Sequence, residues 1–346
     1  MIIVPADQLT ELGVKIFTAQ GTPEDKARFL VGTLIEANLT GHDSHGVHYY
    51  VGYSDRIRRG FIDVDQEPAT VKETPSSALI DGRWAFGQVT AMRVAELAVA
   101  KAKDNMVAGV GAFNCNHIGR LGYYTEWAAK HDVIAAMYVN VGNPSVSVYN
   151  GLGKAFGTNP QSVSVPTGSE TPFLVDWATS VVAHGKINVA RAKHAKIPSH
   201  WTRDKYGRVT DDPNAIYEGG WLLPFAEYKG YGLQMVSELL GAVLTGSRTG
   251  ISGVAEPPSP NGVFMLAVNP EGFVGLDTFK HGTSELLQKV KGLPAEAGKR
   301  ILVPGEPEKE TKAQRLRDGV PVPEDTWAQI MALCKQLGVE VAITQK

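Results

Sequence analysis

Three histidines crowd into Gly41-His42-Asp43-Ser44-His45-Gly46-Val47-His48, a polar stretch between two segments with helical apolar spacing. Imidazole has a reference pKa of about 6.5, so it is the side chain best suited to give or take a proton near neutrality. A second candidate, His117, lies in Asn114-Cys115-Asn116-His117-Ile118-Gly119-Arg120-Leu121-Gly122, where Arg120 could bind an anion. Asp176-Trp177-Ala178-Thr179-Ser180 places a carboxylate and hydroxyls where a ribose or amide could be held, and Lys229-Gly230-Tyr231-Gly232 puts a cation at a helix start, where phosphate binds readily. Each has a plainer reading: a capped corner, a structurally satisfied loop histidine, a solvated arginine, a capped turn, a surface lysine. Read as metal ligands, His42, His45 and His48 lack a cysteine or carboxylate in a recognisable zinc pattern.

The elements that must position these groups follow from periodicity. Leu30, Val31, Leu34, Ile35 and Ala37 predict a helix before the histidine corner, and Val47, Tyr50, Val51 and Ile57 predict one after it, closed by Gly60. Asp43 or Ser44 is expected to cap the second helix, placing His45 in its first turn, where the helix dipole disfavours imidazolium and favours a nearby anion such as a carboxylate. An earlier helix runs from Asp7 to Gly21, and Thr22-Pro23 is expected to cap and open the next. Residues 1–60 are therefore helical; after Pro68 the texture turns to short strands at Ala69–Val71 and Ala78–Ile80.

An alanine-rich helix is predicted over Phe86–Asn105, then strand Val107–Phe113, the His117 loop, helix Tyr123–His131 and strand Val133–Val139. Asn140–Tyr149 reads as a polar connection, Ser162–Val165 and Phe173–Val175 as short strands, 185–221 as loop-rich. Helix Leu233–Leu244, strand Asn261–Val268, a helix through Leu286 and a last helix Thr326–Leu337 complete the pattern, with Lys309–Arg317 as a solvated helix face. Gly151-Leu152-Gly153-Lys154-Ala155-Phe156-Gly157 resembles a dinucleotide fingerprint, but its spacing is GxGxxxG and Thr158-Asn159-Pro160 follows where a phosphate-binding helix should run.

At 346 residues two domains are the default expectation, and 43% hydrophobic content makes the chain globular. A net charge of −2 without a basic block argues against a nucleic-acid partner. Cys115 and Cys334 form no CxxC pair and suit a reducing compartment; the first residues carry no secretory pattern, and no run of 18 uncharged apolar residues occurs. The expectation is a cytoplasmic protein with no membrane partner.

Taken together, Ala37–Val47, Asn116-His117-Ile118-Gly119 with Gly122-Tyr123-Tyr124, Gly157-Thr158-Asn159-Pro160, Asp176–Ser180, Lys229-Gly230-Tyr231-Gly232 and Leu302-Val303-Pro304-Gly305-Glu306 resemble, in order and spacing, the type-2 malate/L-lactate dehydrogenase family. The resemblance covers nearly the whole chain. It implies an α/β, non-Rossmann malate/L-lactate dehydrogenase-type fold, with an α/β NAD-binding domain (76–284) inserted into a discontinuous helical domain (1–75 plus 285–346). It also implies NADH, or alternatively NADPH, as cofactor, a 2-oxo or 2-hydroxy acid as substrate, and a homodimer.

His45 and His117 match the family's acid/base histidines. Substrate contacts are implied for Ser44, Tyr49, Arg120, Thr158 and Asn159, and no metal. Cofactor contacts are implied for His45, Gly119, Arg120, Leu121, Leu174, Val175, Asp176, Trp177, Ala178, Tyr228, Lys229, Gly305, Glu306, Pro307 and Glu308. The chain departs from the family at Tyr49, where many members carry a carboxylate-gripping arginine, at Arg120, where many have a small residue, and at Gly142, where a serine is common. Arg120 is expected to replace the missing charge. Tyr49, Arg120 and Phe225-Ala226-Glu227 look most like the hydroxycarboxylate dehydrogenase B branch.

The expected chemistry is reduction of a 2-oxo acid. His45 gives the proton, His117 polarises the carbonyl, Arg120 and the helix after the corner hold the carboxylate, and the nicotinamide lies against Asp176–Ser180. The competing readings are a malate, lactate or sulfolactate dehydrogenase, a reductase of the cyclic imines Δ1-pyrroline- or piperideine-2-carboxylate, a histidine-cluster metal hydrolase, and a non-catalytic binding protein on the same scaffold.

Overall fold

The computed structural model describes residues 1–192, 194–252 and 260–341. The chain opens with strand β1 (Ile2–Val4) and helices α1 (Ala6–Thr18), α2 (Glu24–Leu39) and α3 (Tyr49–Arg58). Leu9, Leu12, Ile16 and Phe17 of α1 face Leu30, Val31 and Leu34 of α2, with Tyr50 and Tyr53 of α3 in the same core. Next come β2 (Ala69–Glu73), β3 (Ser77–Asp81), α4 (Gly87–Asn105), β4 (Val107–Cys115), α5 (Gly122–Lys130), β5 (Ile134–Val141), β6 (Gln161–Val165) and β7 (Phe173–Trp177). The segment expected to be loop-rich holds α6 (His184–Ala192) and a small sheet of β8 (Thr202–Arg203), β9 (Val209–Thr210) and β10 (Trp221–Leu222).

Helix α7 (Tyr228–Ser237) passes into a π-helical stretch, Glu238–Val243, before β11 (Asn261–Val268), α8 (Leu276–Lys291), α9 (Glu306–Asp318), β12 (Val320–Val322) and α10 (Glu324–Leu337). β12 pairs antiparallel with β1, and Val320, Val322, Trp327 and Ile330 enter the core of α1–α3, so the first and last elements share one apolar interior. The main sheet has the order β2-β3-β4-β11-β5-β6-β7 and is antiparallel except at β3–β4, which α4 joins as a crossover. The small side chains Ala91, Ala95, Ala98 and Ala102 let α4 lie close on that sheet, in a second core with Val110, Met137 and Met265. The joint expected between 284 and 285 falls inside α8.

Register brings one end of the sheet into focus. Asn261 pairs with Cys115 on one side and Val141 on the other, while Gln161 faces Tyr138 and Trp177. The ends of β4, β5 and β7 and the starts of β6 and β11 therefore meet at a single edge. After Gly157 the chain enters β6 rather than a helix, and Leu152 between the fingerprint glycines is 84% exposed.

Both capping expectations fail. α2 begins after Pro23, and among the described residues the buried Thr22 Oγ1 has no hydrogen-bond partner. Asp43–His45 form a separate 3-10 turn, and α3 starts at Tyr49 with His48 before it, so His45 lies ahead of that helix. The amides of Tyr49 and Tyr50 are already bonded to the carbonyls of Gly46 and Val47, so the start of α3 does not present them to a carboxylate. Among the described residues no helix is long and apolar enough to cross a membrane.

Candidate active site

The histidine corner is braced from two helices. Asn38, at the end of α2, donates to Asp43 Oδ1 (2.6 Å) and accepts the Val47 amide (2.8 Å), and Gly46 is required because a Cβ there would lie 2.0 Å from Asn38 Oδ1. Arg315 of α9 grips Asp43 through both oxygens (2.6 and 3.0 Å) and bonds the Asn38 carbonyl; Lys312 pairs with Glu36 at 2.7 Å. The charged run expected as a solvated face thus supplies the clamp. α9 buries no residue, so ion pairs dock it where an apolar stripe would otherwise.

On the other wall, Asn116 at the end of β4 is buried with its amide nitrogen 2.8–3.0 Å from the carbonyls of Phe61, Trp84 and Ala85, which fixes the loop that follows. Gly87 is the complementary requirement: a Cβ would lie 2.3 Å from the carbonyl oxygens of both Asn116 and His117.

These braces bring His45 and His117 together, their rings nearly parallel (13°) with centroids 5.7 Å apart. Ser44 Oγ lies 3.0 Å from His45 Nδ1. His117 Nδ1 is 2.7 Å from the Tyr53 hydroxyl and its Nε2 is 3.3 Å from that of Tyr49, whose ring stacks on it at 4.6 Å. Burial holds both imidazoles neutral: His45 is lowered to about 4 and His117 falls well below its usual value, each opposed further by neighbouring histidines and by one arginine, Arg120 at His45 and Arg56 at His117. The same desolvation raises the Tyr49 hydroxyl to about 12.

The two rings line a cavity of about 560 Å³ together with Ser44, Tyr49, Gly119, Arg120, Leu121, Thr158, Asp176, Trp177 and Ala178. Arg120 is 4% exposed, and its guanidinium stands 3.9 Å from both Asp176 and Glu126. Among the described residues none of its three nitrogens has a hydrogen-bond partner. Its charge is balanced, yet its planar fork of donors is uncommitted at the cavity wall. Asp176 accepts the Gly122 amide at 2.7 Å; burial raises its pKa, with Arg120 opposing.

Other expected residues sit elsewhere. Asn159 is fully buried: its Oδ1 accepts the Val141 amide and its Nδ2 donates to Glu238 (2.7 Å), so it is spent on the framework and does not line the cavity. Leu174 and Val175 lie within β7, before the part that reaches the cavity. Tyr228 and Lys229 are exposed in the first turn of α7 and do not line the cavity, with Tyr228 against Tyr149. Gly305 adopts φ 98° to turn the chain beside β7, Glu306 and Pro307 open α9, and Glu306 accepts the Val303 amide and pairs with Lys291. Glu308 alone of that segment touches a cavity residue, His42, at 3.5 Å, and that contact holds its carboxyl below the usual range. Because His42 turns to Glu308 and His45 to His117, the three corner histidines do not converge, and among the described residues no group of three metal-ligating side chains is found.

Several wall residues were missed in the sequence. Lys186 in the first turn of α6, Asn143, Ser145 and Asn261 line the cavity, and Tyr53 and Gln88 stand behind His117. Tyr53 follows Tyr49 by one helical turn, a spacing that puts both on one face and could have flagged it.

A sequence profile of the malate/L-lactate dehydrogenase family matches residues 4–331. The L-sulfolactate dehydrogenase of Methanocaldococcus jannaschii is 35% identical over 99% of this chain and 98% of its own length. Hydroxycarboxylate dehydrogenase B of Escherichia coli K12 is 35% identical over 94% of this chain and 91% of its own. The solved structure of the M. jannaschii sulfolactate dehydrogenase superposes with a TM-score of 0.91, covering 98% of both chains. With a fold and a site of this kind, the chain belongs to the malate/L-lactate dehydrogenase family, oxidoreductases that act on the CH–OH group and interconvert 2-hydroxy and 2-oxo acids.

Proposed function

We propose that this protein is an NAD(P)H-dependent reductase of 2-oxo acids, and in reverse a 2-hydroxy acid dehydrogenase, with its site between His45, His117 and Arg120. The observation that carries the reading is the buried, uncommitted guanidinium of Arg120 on the same cavity wall as the paired imidazoles. A fork of N–H donors at fixed spacing matches a carboxylate, and a 2-oxo acid has a carboxylate one bond from the carbonyl to be reduced. Lys186, exposed at the cavity edge, adds a second cation for an anionic ligand.

The residues fit a nicotinamide dinucleotide. The cavity lies within the 300–1,000 Å³ range of cofactor pockets, roughly, and Gly122 keeps Arg120 and Asp176 close enough that a Cβ there would meet them at 2.9 and 3.0 Å. Gly119, Leu121, Asp176, Trp177 and Ala178 would hold it; when bound, the nicotinamide supplies or accepts the hydride. NADH is the preferred partner in this reading, with NADPH as an arm of the test.

Arg120 holds the carboxylate, His117 donates a hydrogen bond to the carbonyl oxygen, and His45 delivers the proton that this oxygen needs as it becomes a hydroxyl. In the reverse direction, neutral His45 takes that proton. Residues 76–284 form the dinucleotide-binding domain and 1–75 with 285–346 the helical one. The working form is a homodimer in the cytoplasm.

The test is a matrix of NADH and NADPH against aromatic, dicarboxylic and sulfonated 2-oxo acids and a cyclic imine, followed by loss of reduced-nicotinamide absorbance. Turnover of at least one 2-oxo acid, lost in His45→Ala by about 10²–10⁴-fold, is expected. Turnover of the imine alone would replace the substrate assignment, and an unchanged His45→Ala rate would reject the proton donor.

A further inference from the structure

Behind His117, on the side away from the cavity, lies a short chain of buried groups that the reaction above does not use. Gln88 Nε2, in the first turn of α4, donates to the Tyr53 hydroxyl at 2.7 Å, and that hydroxyl lies 2.7 Å from His117 Nδ1. Gln88 is 0% and Tyr53 1% exposed. The Gly119 amide also points at Nδ1, at 3.4 Å.

The direction of each bond follows from the donor inventory. An amide N–H can only donate, so Nδ1 presents its lone pair to Gly119. Tyr53 must then use its one proton on Nδ1, and its oxygen accepts from Gln88. A neutral imidazole with Nδ1 unprotonated carries its proton on Nε2, the atom facing Tyr49 and the cavity. The chain ends at a carboxamide, which does not ionise, so no proton can reach His117 from behind. His45 and His48 from the corner and Arg56 from α3 oppose a charge on the ring, and Tyr49 and Tyr53 face it as neutral phenols.

We propose that Tyr53 and Gln88 are positioning residues that lock His117 in its Nε2–H tautomer. His117 thereby acts as a fixed hydrogen-bond donor to the carbonyl oxygen, which leaves the proton transfer to His45. The tautomer stands on the protein's own contacts; its use rests on the 2-oxo acid reading.

The experiment is ring-nitrogen NMR of the full chain labelled with 15N-histidine, with His117→Asn to assign the signals, in the absence of substrate. The expected result is a pyridine-type Nδ1 and a pyrrole-type Nε2 for His117 throughout pH 6–9; the opposite pattern, or an even mixture, overturns the lock. In Gln88→Glu the introduced carboxylate, once ionised, accepts from Tyr53. That turns the phenol's lone pair toward His117 and reverses the two signals as pH rises, with 2-oxo acid reduction falling about 10²-fold while the cofactor dissociation constant stays within about twofold. Reversal undone on acidification supports the lock, since a packing defect would not follow the carboxyl's titration. Tyr53→Phe, which keeps the ring and loses the donor, is expected to admit the second tautomer; an unchanged spectrum there overturns the proposal even where Gln88→Glu fails to fold. A correct tautomer in a protein that reduces no 2-oxo acid would refute the assigned reaction and leave the lock standing.

Discussion

At the residue scale, the proposed grip on a substrate carboxylate depends on Arg120. A buried guanidinium whose donors find no acceptor destabilises the fold, and its two carboxylate neighbours at 3.9 Å balance charge without satisfying those donors. Arg120→Met removes those orphaned donors but leaves the buried Asp176 without the charge that opposes its desolvation, so the unliganded protein should be less stable at neutral pH and recover on acidification as Asp176 takes a proton, while the KM for a 2-oxo acid rises about 10- to 100-fold, the worth of a charge-assisted bond of roughly 1.5–3 kcal/mol. Thermal melts and steady-state kinetics on the same preparations check both halves. Arg120→Lys keeps the charge but not the fork, and should recover only part of the KM.

His45 gives a second prediction with a definite sign. Its pKa of about 4 leaves it neutral in the free enzyme at neutral pH. As a base for hydroxy acid oxidation it is then ready, and log kcat/KM should be flat above about pH 5. As the acid for reduction it must be protonated first, so log kcat/KM for the 2-oxo acid should fall with a slope near −1 over about pH 5–8, because this parameter reports the free enzyme. A flat reduction profile would remove His45 as the proton source. The outer loop carbonyls and amides that place these rings were not readable in the sequence, but the two histidines were, through the resemblance of the segments around them.

Among the elements, the junction of α4 with the His117 loop carries the tightest constraint. Gly87→Ala places a methyl carbon 2.3 Å from the carbonyls of Asn116 and His117, and backbone cannot yield as a flexible side chain would. The variant should lose about 1–3 kcal/mol of stability. It should also lower kcat by moving His117 off Tyr53, which denaturant titration and kinetics would reveal. A comparable kcat with reduced stability would mean that α4 rather than the loop had shifted.

Most helices and strands were legible because apolar spacing reports the buried face, as in α1, α2, α4 and β11. The corner was misread at its cap. Asp43 is drawn to Asn38 and Arg315, partners from distant segments, instead of to the local amides that a cap would satisfy. Tyr53 and Gln88 escaped notice because a tyrosine on an apolar helix face and a glutamine at a helix start look like ordinary packing. The sheet order escaped too: β11 arrives about 120 residues after β5 ends and inserts between β4 and β5, a pairing no local pattern announces.

Across the whole molecule, the cavity lies where the core of α1–α3 and α10 meets the sheet end, so His45 and Tyr49 come from one core and His117, Arg120 and Asp176 from the other. Bringing them together buries two imidazoles as neutral groups, and stability acquires a pH dependence. The unfolded chain binds a proton at each ring as pH falls through about 6.5, whereas the folded protein resists until about 4 at His45 and lower at His117. Unfolding thus takes up protons, and stability drops progressively from about pH 6.5 to 4, with His45 contributing on the order of 3 kcal/mol before discount for its contact with the open cavity. Asp176, raised by burial, acts in the opposite sense near the bottom of that window, since its folded form accepts a proton first on acidification. Denaturant midpoints measured at pH 7, 6, 5 and 4 should fall in wild type and fall less in His45→Gln. A 2-oxo acid bound with reduced cofactor should flatten the wild-type curve, because a carboxylate beside the rings favours their protonated form. If His45→Gln tracks wild type across the whole range, the imidazole at the junction is not desolvated in solution, and the low pKa on which the reduction profile depends is withdrawn with it.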